Sequence, residues 1–155
     1  MYLTMKTLHI VSSTILFGTG IGIAFFMWMV NRSGNRQAMA VVTRHVVKAD
    51  LYFTTPSVII QPASGLALMA MTGYPMRFAP MNWLGLSLLL YCLAAACWLP
   101  VLWLQWRMYR LTARTSAVPT LPAIYWRYER LWTLLGILAF CSLVVVFWLM
   151  ASKPF

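Results

Sequence analysis

KTLHIVSSTILFGTGIGIAFFMWMV, residues 6–30, is the stretch on which the fold turns. Its 25 residues hold no acid, no proline and a single charge, Lys6, at the very start. As a helix the stretch rises about 37 Å at 1.5 Å per residue. That exceeds the roughly 30 Å hydrocarbon core of a bilayer, so the stretch reads as a membrane span. Its apolar region is longer than that of a cleaved leader and no small-residue cleavage site follows it, so the span is expected to be retained. It also carries groups that a plain anchor does not need. These are His9, the hydroxyls of Ser12, Ser13 and Thr14, and the glycines Gly18, Gly20 and Gly22.

Composition extends this reading to the whole chain. Of 155 residues, 62% are hydrophobic and 9% are charged, whereas a soluble domain has about 25% charged residues. Eight Trp and seven Tyr suit interfacial aromatic belts. A net charge of +10 would suggest nucleic acid in a soluble protein. Here the basic residues fall between apolar stretches, where membrane orientation and anionic lipid account for them.

Three further apolar stretches follow the first. Span two, 51–72, contains Pro56, Pro62 and Gly65. Each proline removes a backbone donor, so a kink is expected. Thr54, Thr55, Ser57, Gln61 and Ser64 lie close enough to satisfy the freed carbonyls, or else to line a ligand site. Span three is 83–105 and span four is 128–152, with the first span at 4–30. The expected fold is a single all-α domain, 1–155, built as a four-transmembrane-helix bundle. Helices two and three are expected to extend into the cytoplasm. Helix two would begin near Gln37 with Ala38, Val41, Val42, His45, Val46 and Ala49 on one face. Helix three would run on through 106–114, where Arg107, Arg110 and Arg114 share a face.

Charge sets the expected orientation. Segments 31–50 and 106–130 hold Arg32, Arg36, Arg44, Lys48, Arg107, Arg110, Arg114, Arg127 and Arg130, nine in all. The opposite ends hold three, Lys6, Arg77 and Lys153. The positive-inside rule then puts loops one and three in the cytoplasm and both termini outside.

Few residues could carry chemistry. His9 lies about one turn inside the outer end of span one. It could ligate haem iron, or it could be a structural histidine bonded to a neighbouring helix. Gly18 and Gly22 form a small-xxx-small pair that would admit a partner helix, a second copy of the chain, or a flat macrocycle. With His9 as axial ligand they make a haem b hypothesis. His45 lies near the opposite face, too far to share one iron with His9. Met5 and His9, at i and i+4, are the candidate ligands for copper. Asp50 sits at the expected inner end of span two beside Lys48, so it could pair with Lys48 or Arg44, or relay protons. Cys92, Cys97 and Cys141 fall in apolar runs without a redox or zinc spacing. No phosphate loop, nucleophile elbow or zinc signature occurs.

Three segments carry a resemblance: MKTLHIVSSTILFGTGIGIAFFMW, KADLYFTTPSVIIQPASGLAL and CWLPVLWLQWRM. Together they resemble a family of small bacterial predicted integral membrane proteins with no assigned function, and the likeness covers nearly the whole chain. The resemblance implies a multi-pass protein of the bacterial inner membrane. The KTLHI segment at the head of span one is also similar to the openings of HemJ-type protoporphyrinogen oxidases and CopD-type copper-resistance membrane proteins. The first similarity implies a four-helix haem b protein with His9 as the matching histidine. The second implies copper movement. Three functions therefore stand side by side: a haem-binding redox protein, a non-enzymatic partner or oligomer subunit, and a copper-handling protein.

Overall fold

The computed structural model describes residues 1–78, 80, 82–114 and 120–154. It is all-helical. Helix α1 spans Tyr2–Ser33, α2 Arg36–Ala49, α3 Thr55–Thr72, α4 Trp83–Arg114 and α5 Ala123–Ser152. A single π turn, Asp50–Thr54, joins α2 to α3 without a break. The chain thus makes four long rods, of which the second is α2, the π turn and α3 end to end.

The connection between the first two rods is tighter than the sequence implies. Helix α1 continues to Ser33 and stops at Gly34, whose φ of 65° suits the left-handed conformation that ends many helices. Asn35 then caps α2, its side-chain oxygen accepting from the Ala38 N–H at 3.1 Å. At the far end Gly73, with φ 66°, terminates α3 in the same way. Helix α5 starts at Ala123, earlier than the expected 128, and α4 runs on to Arg114 as expected.

Among the described residues three helices, α1, α4 and α5, are long and apolar enough to cross a membrane. The sequence reading had four. Helix α3 is 18 residues long, and Ser57, Gln61 and Ser64 dilute its apolar character while being buried. Many large hydrophobic side chains face outward, among them Phe25, Phe26, Trp28, Phe53, Ile59, Leu66 and Trp148. This inverted exposure is what a lipid-facing surface requires.

The interior has two parts. Towards the basic ends, Met27, Val30, Met39, Val46, Leu104, Met108, Tyr125 and Trp132 form a close-packed apolar core. Two buried polar contacts tie it together. Tyr125 Oη donates to Asn31 Oδ1 at 2.8 Å, and the Thr43 and Thr112 hydroxyls lie 2.8 Å apart. The face that α2 buries agrees with the expected one at Ala38, Val42, Val46 and Ala49, which pack against the core, and departs from it at two positions. Met39, Thr43 and Val46 are buried, while Val41 and His45 are exposed. In a lipid-facing protein, hydrophobicity alone does not mark the inner face, and the Thr43–Thr112 contact favours a small residue there. Towards the termini, the buried residues on the facing helices are chiefly small and polar: Ser12, Ser57, Gln61, Ser64, Ser87 and Ser142.

The π turn has a readable cause. The buried positions of the second rod are 39, 43, 46, 50, 54, 57, 61 and 64. Their spacing alternates between four and three except once, where 46, 50 and 54 give four twice. One extra residue must be absorbed there, and a π turn absorbs one residue. Pro56 follows directly, without an N–H to keep α-helical pairing. The Thr55 N–H bonds instead to the Asp50 carbonyl, and the Thr55 hydroxyl joins it at 3.0 Å. The expected kink is therefore a local widening. At Pro62 the helix continues, and the Val58 carbonyl that the proline leaves without a donor accepts from Tyr91 Oη of α4 at 2.5 Å.

Candidate functional site

Two polar centres lie within the rods. The first is His9 on α1. Its Nδ1 is 2.8 Å from Ser64 Oγ on α3. With the Gln61 amide oriented so that its nitrogen meets acceptors, that nitrogen lies 2.8 Å from His9 Nδ1 and 3.2 Å from the His9 carbonyl. The Gln61 oxygen then accepts from the Ser13 N–H at 3.2 Å. The imidazole also packs over Gly65, where a Cβ would stand 3.4 Å from His9 Cε1, an ordinary contact. His9 therefore joins α1 to α3, and Gln61, placed by sequence near the proline kink, is its main partner. The neighbouring hydroxyls are satisfied on their own helix. Ser12 donates to the His9 carbonyl, and Ser13 and Thr14 donate to the Ile10 carbonyl.

Gly18 and Gly22 do not share this face. At about 100° per residue, nine residues carry Gly18 half a turn from His9, and Gly22 lies nearly as far round. A Cβ on either would meet nothing within 4 Å. The expected arrangement, a macrocycle ligated by His9 and lying on these glycines, does not assemble on one face of α1. Met5 is half-buried one turn before His9. Among the described residues no three His, Cys, Asp or Glu side chains come together to hold a metal ion. Cys97 is buried, whereas Cys92 and Cys141 are exposed.

The second centre is Asp50, which is 3% exposed. Sequence order suggests an end of span two beside Lys48. The structure puts Asp50 in the π turn, inside an unbroken rod. Arg44 and Lys48 are exposed, pointing away from it. The partners of Asp50 come from α4. Trp98 Nε1 donates to Oδ1 at 3.4 Å. With its amide oriented to match donors to acceptors, Gln105 donates to Oδ2 at 3.1 Å and accepts from Trp132 Nε1 of α5 at 3.2 Å. A relay of neutral donors thus runs Trp132, Gln105, Asp50 across three rods.

Beside Asp50 is a cavity of about 130 Å³. Leu16, Phe17, Gly20 and Ile23 of α1 wall one side, and Asp50, Thr54 and Val58 another. Helix α4 contributes residues from Tyr91 to Gln105, and α5 contributes residues from Trp132 to Leu143. These segments are at mid-height of the long helices α1, α4 and α5. Small residues make the room: Gly20, Ala94, Ala95, Gly136 and Ala139. Phe17 stacks on Phe140 at 4.6 Å and meets Phe147 edge-on at 5.2 Å, closing the wall where α1 touches α5. The Thr54 hydroxyl is buried in this wall, beside the Asp50 carboxylate.

Sequence reasoning names Asp50 but not Gln105, Trp98 or Trp132. These lie about fifty to eighty residues away along the chain, and only the apposition of rods brings them together. The one available signal is Gln105 itself, a glutamine set in the apolar run of α4.

A family model described as predicted integral membrane protein (DUF2269) matches residues 3–154. No curated protein and no solved structure matches the chain. The family match agrees with the first resemblance drawn from sequence. The likenesses to HemJ-type and CopD-type proteins gain no support from it.

Proposed function

The chain belongs to the DUF2269 family of predicted integral membrane proteins, and from that premise we propose that it is a four-span protein that takes a small solute into a cavity within the bilayer. The membrane in question is the bacterial cytoplasmic membrane, with the basic ends of the rods inside and both termini outside. The fourth span is α3. Its shortfall in hydropathy comes from Ser57, Gln61 and Ser64, which are buried rather than offered to lipid, so its outer face is apolar enough. The exposed Arg44 and Lys48 of α2 suit a stretch that leaves the bilayer on the cytoplasmic side.

The observation that carries the reading is Asp50. An ionisable group inside a membrane is costly, and such groups usually line a pathway or a binding site. Asp50 does no structural pairing with a basic residue among those described, and it borders an open cavity. A merely structural carboxylate would be expected to face packed atoms or a counter-charge.

The test is occupancy of the cavity. Detergent-purified protein is predicted to take up benzene and to melt at a higher temperature when it does. Gly136→Leu should abolish both effects, because Gly136 lines the cavity and has open space at its Cβ position. Equal uptake by the two proteins would overturn the reading.

A further inference from the structure

We propose that the Asp50 cavity receives a small organic monocation, a protonated amine or quaternary ammonium with an apolar body. This rests on the solute-pocket reading above and adds the charge and class of the solute.

Among the described residues the carboxylate is met by neutral groups, the Trp98 N–H, the Gln105 amide and the Thr54 hydroxyl one turn on. The nearest basic residues in sequence, Arg44 and Lys48, are exposed and turned away. A buried carboxylate so placed lacks a counter-charge, and a cationic solute supplies one. Thr54, one helical turn on, brings a buried hydroxyl to the same cavity, next to the carboxylate. It is an acceptor for an ammonium N–H. The rest of the wall is apolar and rich in rings, including Phe17, Tyr91, Trp98 and Trp132. Aromatic rings stabilise organic cations in desolvated sites.

The alternatives fit less well. A hard metal cation takes about six oxygen ligands, whereas the cavity offers one carboxylate and one hydroxyl. Tyr91 Oη is already committed to the Val58 carbonyl. An anion would be repelled by Asp50. Size agrees as well, since the cavity of about 130 Å³ is close to one of roughly 150 Å³ that holds benzene.

The experiment compares tert-butylammonium with tert-butanol, a neutral molecule of the same shape. Binding to the detergent-purified protein is followed by ligand-observed NMR, with Gly136→Leu as the background. The ammonium ion is expected to bind on the order of tenfold to a hundredfold more tightly than the alcohol. Asp50→Asn should remove that preference, and Thr54→Val should weaken ammonium binding while leaving the alcohol unchanged. If the alcohol binds as tightly as the ammonium ion, the cation assignment is overturned and the pocket stands. If neither binds above the Gly136→Leu background, the pocket reading falls too. Should Asp50→Asn fail to fold, the wild-type pair and Thr54→Val decide the question.

Discussion

The His9 imidazole sits between two helices, its Nδ1 shared by Ser64 and Gln61. Replacing it with alanine takes the 2.8 Å ring partner from the buried Gln61 amide, while the Ser64 hydroxyl keeps its bond to the Ile60 carbonyl. An unsatisfied buried group costs about 1–3 kcal/mol, so His9→Ala should destabilise the protein by about that amount. Thermal or denaturant unfolding in detergent measures this, and a variant as stable as wild type would contradict the role. The sequence makes His9 conspicuous because an ionisable residue in an apolar run is rare. It does not reveal what satisfies the ring, since Ser64 lies 55 residues further on. Asp50 teaches the same lesson from the other side. Its neighbours in sequence are basic, yet helix geometry turns Arg44 and Lys48 outward and Asp50 inward. Adjacency along the chain is a poor guide to pairing when the element is a helix.

Between helices, the exchange at Pro62 is the clearest case of one residue compensating another. The proline removes a donor from the Val58 carbonyl, and Tyr91 restores one from α4. Tyr91→Phe should therefore cost about 1 kcal/mol in the wild-type background. In a Pro62→Ala background the backbone N–H returns, and the same change should cost markedly less. A double-mutant cycle on unfolding free energy reads the difference, and purely additive effects would contradict the exchange. The sequence shows that Pro62 leaves a carbonyl to be satisfied, but the polar neighbours expected to satisfy it, Thr54, Thr55, Ser57, Gln61 and Ser64, are not the group that does so. Which group reaches Val58 depends on how α4 lies against α3, and that is a property of packing. The π turn is not legible in the sequence. The doubled interval of four at Val46, Asp50 and Thr54 is visible once the inward positions are known, but outward hydrophobic residues such as Leu51 and Phe53 hide the inward pattern.

For the molecule as a whole, composition and the length of the apolar runs carry most of the fold. Helix content, the long first span and the extension of α4 to Arg114 follow from them. The fourth crossing proposed for α3 is harder to read, because α3 turns Ser57, Gln61 and Ser64 to the interior rather than to water. The candidate cavity is not legible at all, since a void has no sequence signal beyond scattered glycine and alanine. The proposed function needs Asp50 to lie within the bilayer beside that cavity. The chain offers its own control, for Asp50 and Glu129 are its two acids. The most direct measurement treats native membranes with a water-soluble carbodiimide or with a lipid-soluble one and maps the modified carboxyls by mass spectrometry. The lipid-soluble reagent is expected to modify Asp50, and the water-soluble reagent to modify Glu129 while sparing Asp50. Modification of Asp50 by the water-soluble reagent as readily as Glu129 would contradict it.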